Sequence, residues 1–216
     1  MACVTDMDVL PNCGPAIIGW VKAGEAWPNK ADRKWRAKQD FSGTELVEKQ
    51  KEKKVKASEQ SVQTFVSNEW TLEYDLALGP KNDGKFSCLL AEDVFIAACL
   101  AENDDYINAE KTTVLAVEKL AMEAFSAHKN AASSVDGCTA EEVLAAHVYA
   151  KFVRKKASKP ITAQYLAQRL LCKYGNKEIT ATSLRQMLPV YITEAIDYVT
   201  GGTSVPLSGD EYSNGE

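Results

Sequence analysis

The chain opens on Ala2-Cys3-Val4-Thr5-Asp6-Met7-Asp8-Val9-Leu10-Pro11, a short apolar run that ends in Asp-x-Asp and is stopped by a proline. The run predicts a β-strand ending near Asp6. Side chains alternate between the faces of a strand, so Asp6 and Asp8 are expected to point the same way. Two carboxylates on one face at the C-terminal end of a strand make a hard-oxygen site. Mg²⁺ is the natural occupant of such a site, held by one or two carboxylates, water and a substrate phosphate. Strand ends are also where open α/β sheets place their ligands. Asp-x-Asp alone is equally at home in a solvated turn, so its meaning depends on what the rest of the chain brings to it.

Composition bounds the possibilities. The 216 residues suit one domain or one and a half, and an apolar content of 45% is enough for a core. Six cysteines (Cys3, Cys13, Cys88, Cys99, Cys138 and Cys172) are scattered without a Cys-x-x-Cys pair. They read as reduced, mostly buried thiols of a cytoplasmic protein, not as a disulfide framework or a zinc knot. His128 and His147 are the only histidines, lie far apart on helical segments, and read as ordinary helix residues. No signal peptide or long apolar span is visible, so a soluble protein without a membrane partner is expected.

A net charge of −5 argues against a globally basic nucleic-acid binder. The distribution is more informative. Lys22 to Lys38 carries Lys22, Lys30, Arg33, Lys34, Arg36 and Lys38 against Glu25 and Asp32. Lys49 to Lys56 carries Lys49, Lys51, Lys53, Lys54 and Lys56 against Glu52. Lys151 to Lys159 carries Lys151, Arg154, Lys155, Lys156 and Lys159 with no acid. Such runs are usually solvated faces. Beside a carboxylate metal site they are also what a phosphate-backbone substrate requires.

Further along, Pro15 to Gly19 reads as a short apolar segment and Gly24 to Gly43 as a long basic loop with Trp27 and Trp35. Thr44 to Glu59 predicts a solvated helix, and Ser61 to Ser67 a second strand. That strand runs into Asn68-Glu69-Trp70-Thr71-Leu72-Glu73-Tyr74-Asp75-Leu76-Ala77, a helix start with acids in its first turns, ending at Gly79-Pro80. Helices are predicted over Leu89–Ala101 and Ala109–Lys129. Another runs from the capping box at Thr139 and Glu142 to about Lys156. The last are Ile161–Tyr174, with Gly175 as the C-terminal cap, and Thr180–Val199, broken near Pro189. Residues 201–216 are rich in Gly, Ser and acids and are expected to be disordered. The class is therefore α/β with only two confident strands.

Asp6, Asp8, Glu69, Glu73 and Asp75 are the candidate ligands. If the two strands are parallel neighbours, their C-terminal ends bring the carboxylates together. Two divalent metals about 4 Å apart would then clamp the attacking and leaving oxygens of a phosphodiester. Lys159, before Pro160 at a helix start, is the candidate that stabilises developing negative charge. A second pattern competes, that of aspartate-nucleophile phosphatases of the haloacid dehalogenase type. There Asp6 is the nucleophile, with Asp8, Ser67, Lys85 and the pair Asp104-Asp105. The late acids, however, fall in a predicted turn between helices where that pattern wants a strand end. Val9 and Leu10 also replace its usual small residue and Thr. A non-catalytic helical binding module is the third reading.

Cys3-Val4-Thr5-Asp6-Met7-Asp8-Val9-Leu10-Pro11 and Trp70-Thr71-Leu72-Glu73-Tyr74-Asp75-Leu76-Ala77 together resemble the Toprim nuclease domain of the OLD (overcoming lysogenization defect) endonucleases. Ser158-Lys159-Pro160-Ile161-Thr162-Ala163-Gln164-Tyr165-Leu166-Ala167 resembles that family's lysine segment, and Leu188 to Val199 its C-terminal helix. The resemblance implies a partial Rossmann-like Toprim core over residues 1–80 with a basic insertion. It further implies a helical insertion over 81–157 and C-terminal helices over 158–200. It implies metal-dependent DNA cleavage by a two-metal mechanism using Mg²⁺ or Mn²⁺. Asp6, Asp8 and Glu73 would be metal ligands, and Thr71 and Lys159 catalytic residues. It also implies an ATP-binding N-terminal domain and a ligand glutamate ahead of the Asp-x-Asp. Both are expected to be missing from this chain. The chain is thus expected to be the C-terminal part of such a nuclease, inactive alone or dependent on a separate ATPase and N-terminal Toprim segment, with DNA as partner and a homodimer left open.

Overall fold

The structure, a computed structural model, describes residues 1–22, 24–55 and 62–202. Ser61, expected in the second strand, and the tail from residue 203 onward lie outside the described residues.

Two short strands carry the front of the chain. β1 (Ala2–Thr5) pairs in parallel with β2 (Gln63–Val66), Ala2 opposite Gln63 and Thr5 opposite Val66. Alternation along β2 decides what covers each face. Phe65 packs on Tyr191 and Ala195 of a late helix, while Val66 meets Met7 and Val9, with Phe41 and Leu46 beside them. The chain between the strands includes α1 (Gly14–Ile17), the basic loop and α2 (Gly43–Val55). The basic loop folds back so that Ala37 forms a parallel bridge with Leu10. Arg33 secures it, with its guanidinium bidentate on Asp40 and stacked over Trp35, 4.2 Å from the ring centre.

After β2 comes α3 (Leu72–Leu78), then a hairpin of β3 (Lys81–Asn82) and β4 (Lys85–Phe86). Asp83 and Gly84 at its tip have φ of 49° and 82°, the paired positive values of a two-residue turn whose twist matches the strands. The Asp-Gly signal stands in the sequence, but strands of two residues carry no alternation to read.

The remainder is helical: α4 (Ala91–Glu102), α5 (Asp104–Asn108), α6 (Val114–Ala131), α7 (Ala140–Tyr149), α8 (Lys159–Gly175), α9 (Ala181–Met187) and α10 (Val190–Thr200). A 3-10 segment, Ala150–Lys155, follows α7. α4 is the hub, buried on nearly every side and packed against α3, α6, α7 and α8. Its alanines let neighbours approach closely, and its one buried acid, Asp93, accepts from Arg169 at 3.1 Å and Lys173 at 2.6 Å on α8. The core is continuous across residue 80, joining Leu10, Cys13, Trp70 and Tyr74 to Leu90, Phe95, Phe125 and Val148.

The chain is thus mixed α/β, mostly helical, with a small parallel sheet. Local corrections have local causes. Asp104 and Asp105 start a helix rather than a turn, because two acids suit the positive end of α5. α6 begins at Val114 and not at Ala109, because the Thr113 hydroxyl accepts the Ala116 N–H and caps it. Gly175 is the last residue of α8, one position before the cap at Asn176. The break at Pro189 separates α9 from α10 as read.

Phe95 is 1% exposed at the centre of α4, with Phe125 and His128 each 5.7 Å from its ring. Phe95→Ala is expected to cost about 3–5 kcal/mol in urea unfolding. A loss below about 1 kcal/mol would mean that α4 is not the hub.

Candidate active site

The turn between β2 and α3 is built around one carboxylate. Asp75, 3% exposed, accepts from the Ser67 hydroxyl at 2.7 Å and from the backbone N–H groups of Asn68, Glu69 and Trp70 at 3.1, 3.4 and 3.2 Å. Its carboxyl is raised to about 6, burial outweighing the four donors. This is a structural carboxylate, so Asp75 is not free to ligate. Ser67, the serine of the phosphatase reading, is fully buried and bound to it.

The first acidic segment is stitched to this turn. Met7 and Asp8 donate their N–H groups to the Trp70 carbonyl at 3.0 and 3.3 Å, and Asp6 Oδ1 accepts the Leu72 N–H at 3.0 Å. Thr71 caps α3 by accepting the Tyr74 N–H at 3.4 Å and is 4% exposed, which orients the first turn carrying Glu73. Lys159, first residue of α8, reaches across 86 positions of sequence to donate to Glu73 Oε2 at 2.9 Å. Asp6 lies in the field of both. Its carboxyl is raised, chiefly by burial, against the Leu72 N–H and the Lys159 charge, with Glu73 and Asp8 adding to the rise. Lys159 is raised as well: burial alone would lower it, and the hydrogen bond and charge of Glu73, with Asp6, outweigh that.

Asp8 takes a different direction from Asp6. β1 ends at Thr5, and Asp8 has φ of 58°, so the strand alternation expected to align the two does not extend to them. Asp8 points outward, where Lys53 of α2 donates to its Oδ2 and to the Asp6 carbonyl, both at 2.6 Å. Lys53 is a site residue that the sequence hid inside a basic run. Tyr149 and Tyr191 are two more. The Tyr149 phenol is raised by burial, with Lys159 opposing and Glu73, Asp6 and Asp8 adding. Tyr191 is raised by burial and then by Asp75, Asp6 and Glu73. Both phenols lie within the electrostatic reach of the acidic cluster, and a tyrosine in a helix gives no sequence signal of such a position.

The remaining candidates are dispersed. Glu69 pairs with Lys38, which also reaches Glu142 at 3.1 Å. Lys85 lies on β4, where its charge acts on Glu141, and Asp104 accepts from Tyr165 at 2.8 Å. The basic stretches are partly consumed internally: Arg33, Lys38, Lys53, Lys151 and Lys159 each pair with an acid. His128 and His147, read as separate, are stacked with ring centres 4.5 Å apart. Among the described residues, no three histidine, cysteine, aspartate or glutamate side chains are grouped as a metal requires. Among the described residues no helix is long and apolar enough to cross a membrane.

Set against known protein families, curated proteins and solved structures, the chain shows no significant match.

The raised carboxyl of Asp75 gives a signed pH test. The folded protein holds this proton more tightly than an unfolded chain with the ordinary value of 3.8. Its stabilising effect is therefore full below that value and is lost as pH rises through about 6. The difference corresponds to about 3 kcal/mol. Wild type should lose about that much relative to Asp75→Asn in urea titrations between pH 4 and 7.5. Parallel pH profiles for the two proteins would show that the four donors, and not burial, dominate.

Proposed function

We propose that this chain is a metal-dependent phosphodiesterase acting on DNA, the Toprim-like portion of a nuclease of the OLD type, built on a partial Rossmann-like core. The observation that carries the reading is the convergence of Asp6, Glu73 and Lys159 at the joined C-terminal ends of two parallel strands. Three residues picked from separate segments for one chemistry are in electrostatic contact.

In this reading Asp6 and Glu73 hold one Mg²⁺ or Mn²⁺. When bound, the cation supplies positive charge to the phosphate oxygens. Lys159 remains an ammonium at neutral pH, because its pKa is raised, and neutralises charge developing on the phosphoryl group. Thr71 acts through the α3 cap, fixing where Glu73 emerges. Lys53 holds Asp8 and the Asp6 carbonyl, which keeps the Asp6 carboxylate aimed at Lys159 and Glu73. The phosphatase alternative is weakened by Ser67, whose hydroxyl is committed to Asp75.

The test is nicking of supercoiled plasmid in Mn²⁺ together with calorimetric titration of Mn²⁺. The wild-type chain is expected to bind Mn²⁺, and to nick when an N-terminal Toprim segment is supplied. Glu73→Gln should lose both, and Lys159→Met should keep the cation while nicking falls roughly 10²–10³-fold. Absence of Mn²⁺ binding by a folded wild-type chain would sink the proposal, as would equal nicking by all three proteins.

A further inference from the structure

Away from the acidic cluster, two thiols far apart in sequence meet in the core. The Cys13 N–H donates to Cys138 Sγ at 3.3 Å across 125 positions, which sets the two residues side by side. Each cysteine stands on backbone with little freedom. Cys13 follows Pro11 and Asn12 and precedes the Gly14-Pro15 start of α1. Cys138 closes a two-residue turn: Val135 and Cys138 exchange backbone hydrogen bonds of 3.2 and 2.9 Å. Asp136 and Gly137 supply the φ values of 52° and 75°. Thr139 then caps α7 with both halves of a capping box. A Cβ on Gly137 would lie 4.0 Å from the Asn12 amide, so this turn packs directly on the segment that carries Cys13. Little ordering remains to be done before the sulfurs react.

The two sulfurs are electronically unequal. Cys138 is lowered below the usual thiol range, first by the hydrogen bond from Cys13, against burial, with the backbone N–H groups of Cys13 and Asn12 adding. Cys13 is pushed up, its proton held on Cys138 and its surroundings apolar. The backbone N–H that donates to Cys138 Sγ favours a thiolate there, which makes Cys138 the attacking and Cys13 the resolving cysteine in the step below. The other four thiols differ. Burial pushes Cys88 up to about 11 and raises Cys99, while Cys3 and Cys172 are exposed.

We propose that Cys13 and Cys138 are a redox-active pair that closes into an intramolecular disulfide on contact with a small hydroperoxide. The Cys138 thiolate attacks the peroxide oxygen, the O–O bond breaks, and the leaving hydroxide takes up the proton released from Cys138. A sulfenic acid remains on Cys138. The Cys13 sulfur then attacks Cys138 Sγ, the S–O bond breaks, and the leaving hydroxide accepts the Cys13 proton as water. In sum two thiols and hydrogen peroxide give one disulfide and two waters. Exposures of 1% for Cys13 and 5% for Cys138 restrict the oxidant to one of about the size of water. The bond would tie the segment following Asp6 and Asp8 to the turn that enters α7, closing more than half of the chain into one loop.

The experiment treats the native full-length chain with hydrogen peroxide, then alkylates it under denaturing conditions and maps it by mass spectrometry. Two of the six thiols should become resistant to alkylation, joined in a single Cys13–Cys138 peptide pair, and dithiothreitol should restore both. Tm of the oxidised protein should rise by about 5–15 °C, as expected for a cross-link over so long a loop. Cys13→Ser should instead leave Cys138 as a sulfenic or sulfinic acid, and Cys88→Ser should leave the cross-link unchanged. Six alkylatable thiols after peroxide would overturn the proposal, as would a disulfide confined to Cys3 or Cys172, or over-oxidised Cys138 in wild type without the 13–138 link.

Discussion

Asp75 holds the candidate site together without belonging to it. A chain leaving β2 and entering α3 must present backbone N–H groups in a partly buried turn, and each one buried and left unmet costs about 1–3 kcal/mol. One carboxylate meets three of them and the Ser67 hydroxyl as well. With that turn fixed, the Trp70 carbonyl is placed to receive Met7 and Asp8, and the Leu72 N–H to receive Asp6. The position of the first acidic segment is thus inherited from a residue nearly seventy positions later. Loss of the Asp75 carboxylate would release Asp6 and Glu73 together, although neither touches it.

The charge balance of the cluster then follows. Asp6, Asp8 and Glu73 face two ammonium groups, Lys53 and Lys159. The two lysines do unequal work. Lys53 serves the exposed Asp8 and a backbone carbonyl, so it locks geometry. Lys159 serves the more enclosed pair, where like-charged carboxylates would otherwise repel. In the free protein its ammonium stands where a divalent cation would compensate the same charges. Under the proposed function, a cation and Lys159 would compete for the Glu73 carboxylate, a substrate phosphate that draws Lys159 away would favour the cation, and the two binding events would support each other.

Much of this was readable from the residues. The two strands, the helix opened by the capping box at Thr139 and the break at Pro189 all have local signatures. What was not readable depends on tertiary geometry. The direction of Asp8 turns on a single positive φ just beyond a strand end, and alternation rules stop at that end. Lys53 is one of several lysines in a run, and only the fold decides which of them meets an acid. His128 with His147 and Cys13 with Cys138 are pairings between segments, and one sequence contains no trace of them. Asp75 reads in the sequence as a candidate ligand, and only its burial among four donors shows it committed to the turn instead.

The small sheet also explains why the helical part is needed. Two strands of four residues are too few to stand alone in water. β1 leaves Cys3 and Val4 exposed and buries little of its own. The pair persists because Phe65 is covered by α10 and Val66 by Met7, Val9 and the start of α2. The site side chains come from surrounding helices: α2 brings Lys53, α3 brings Glu73, and α8, packed chiefly on α4, brings Lys159. Any change that loosens α8 from α4, such as loss of the Asp93 contacts to Arg169 and Lys173, would shift Lys159 before it disturbed a single strand hydrogen bond.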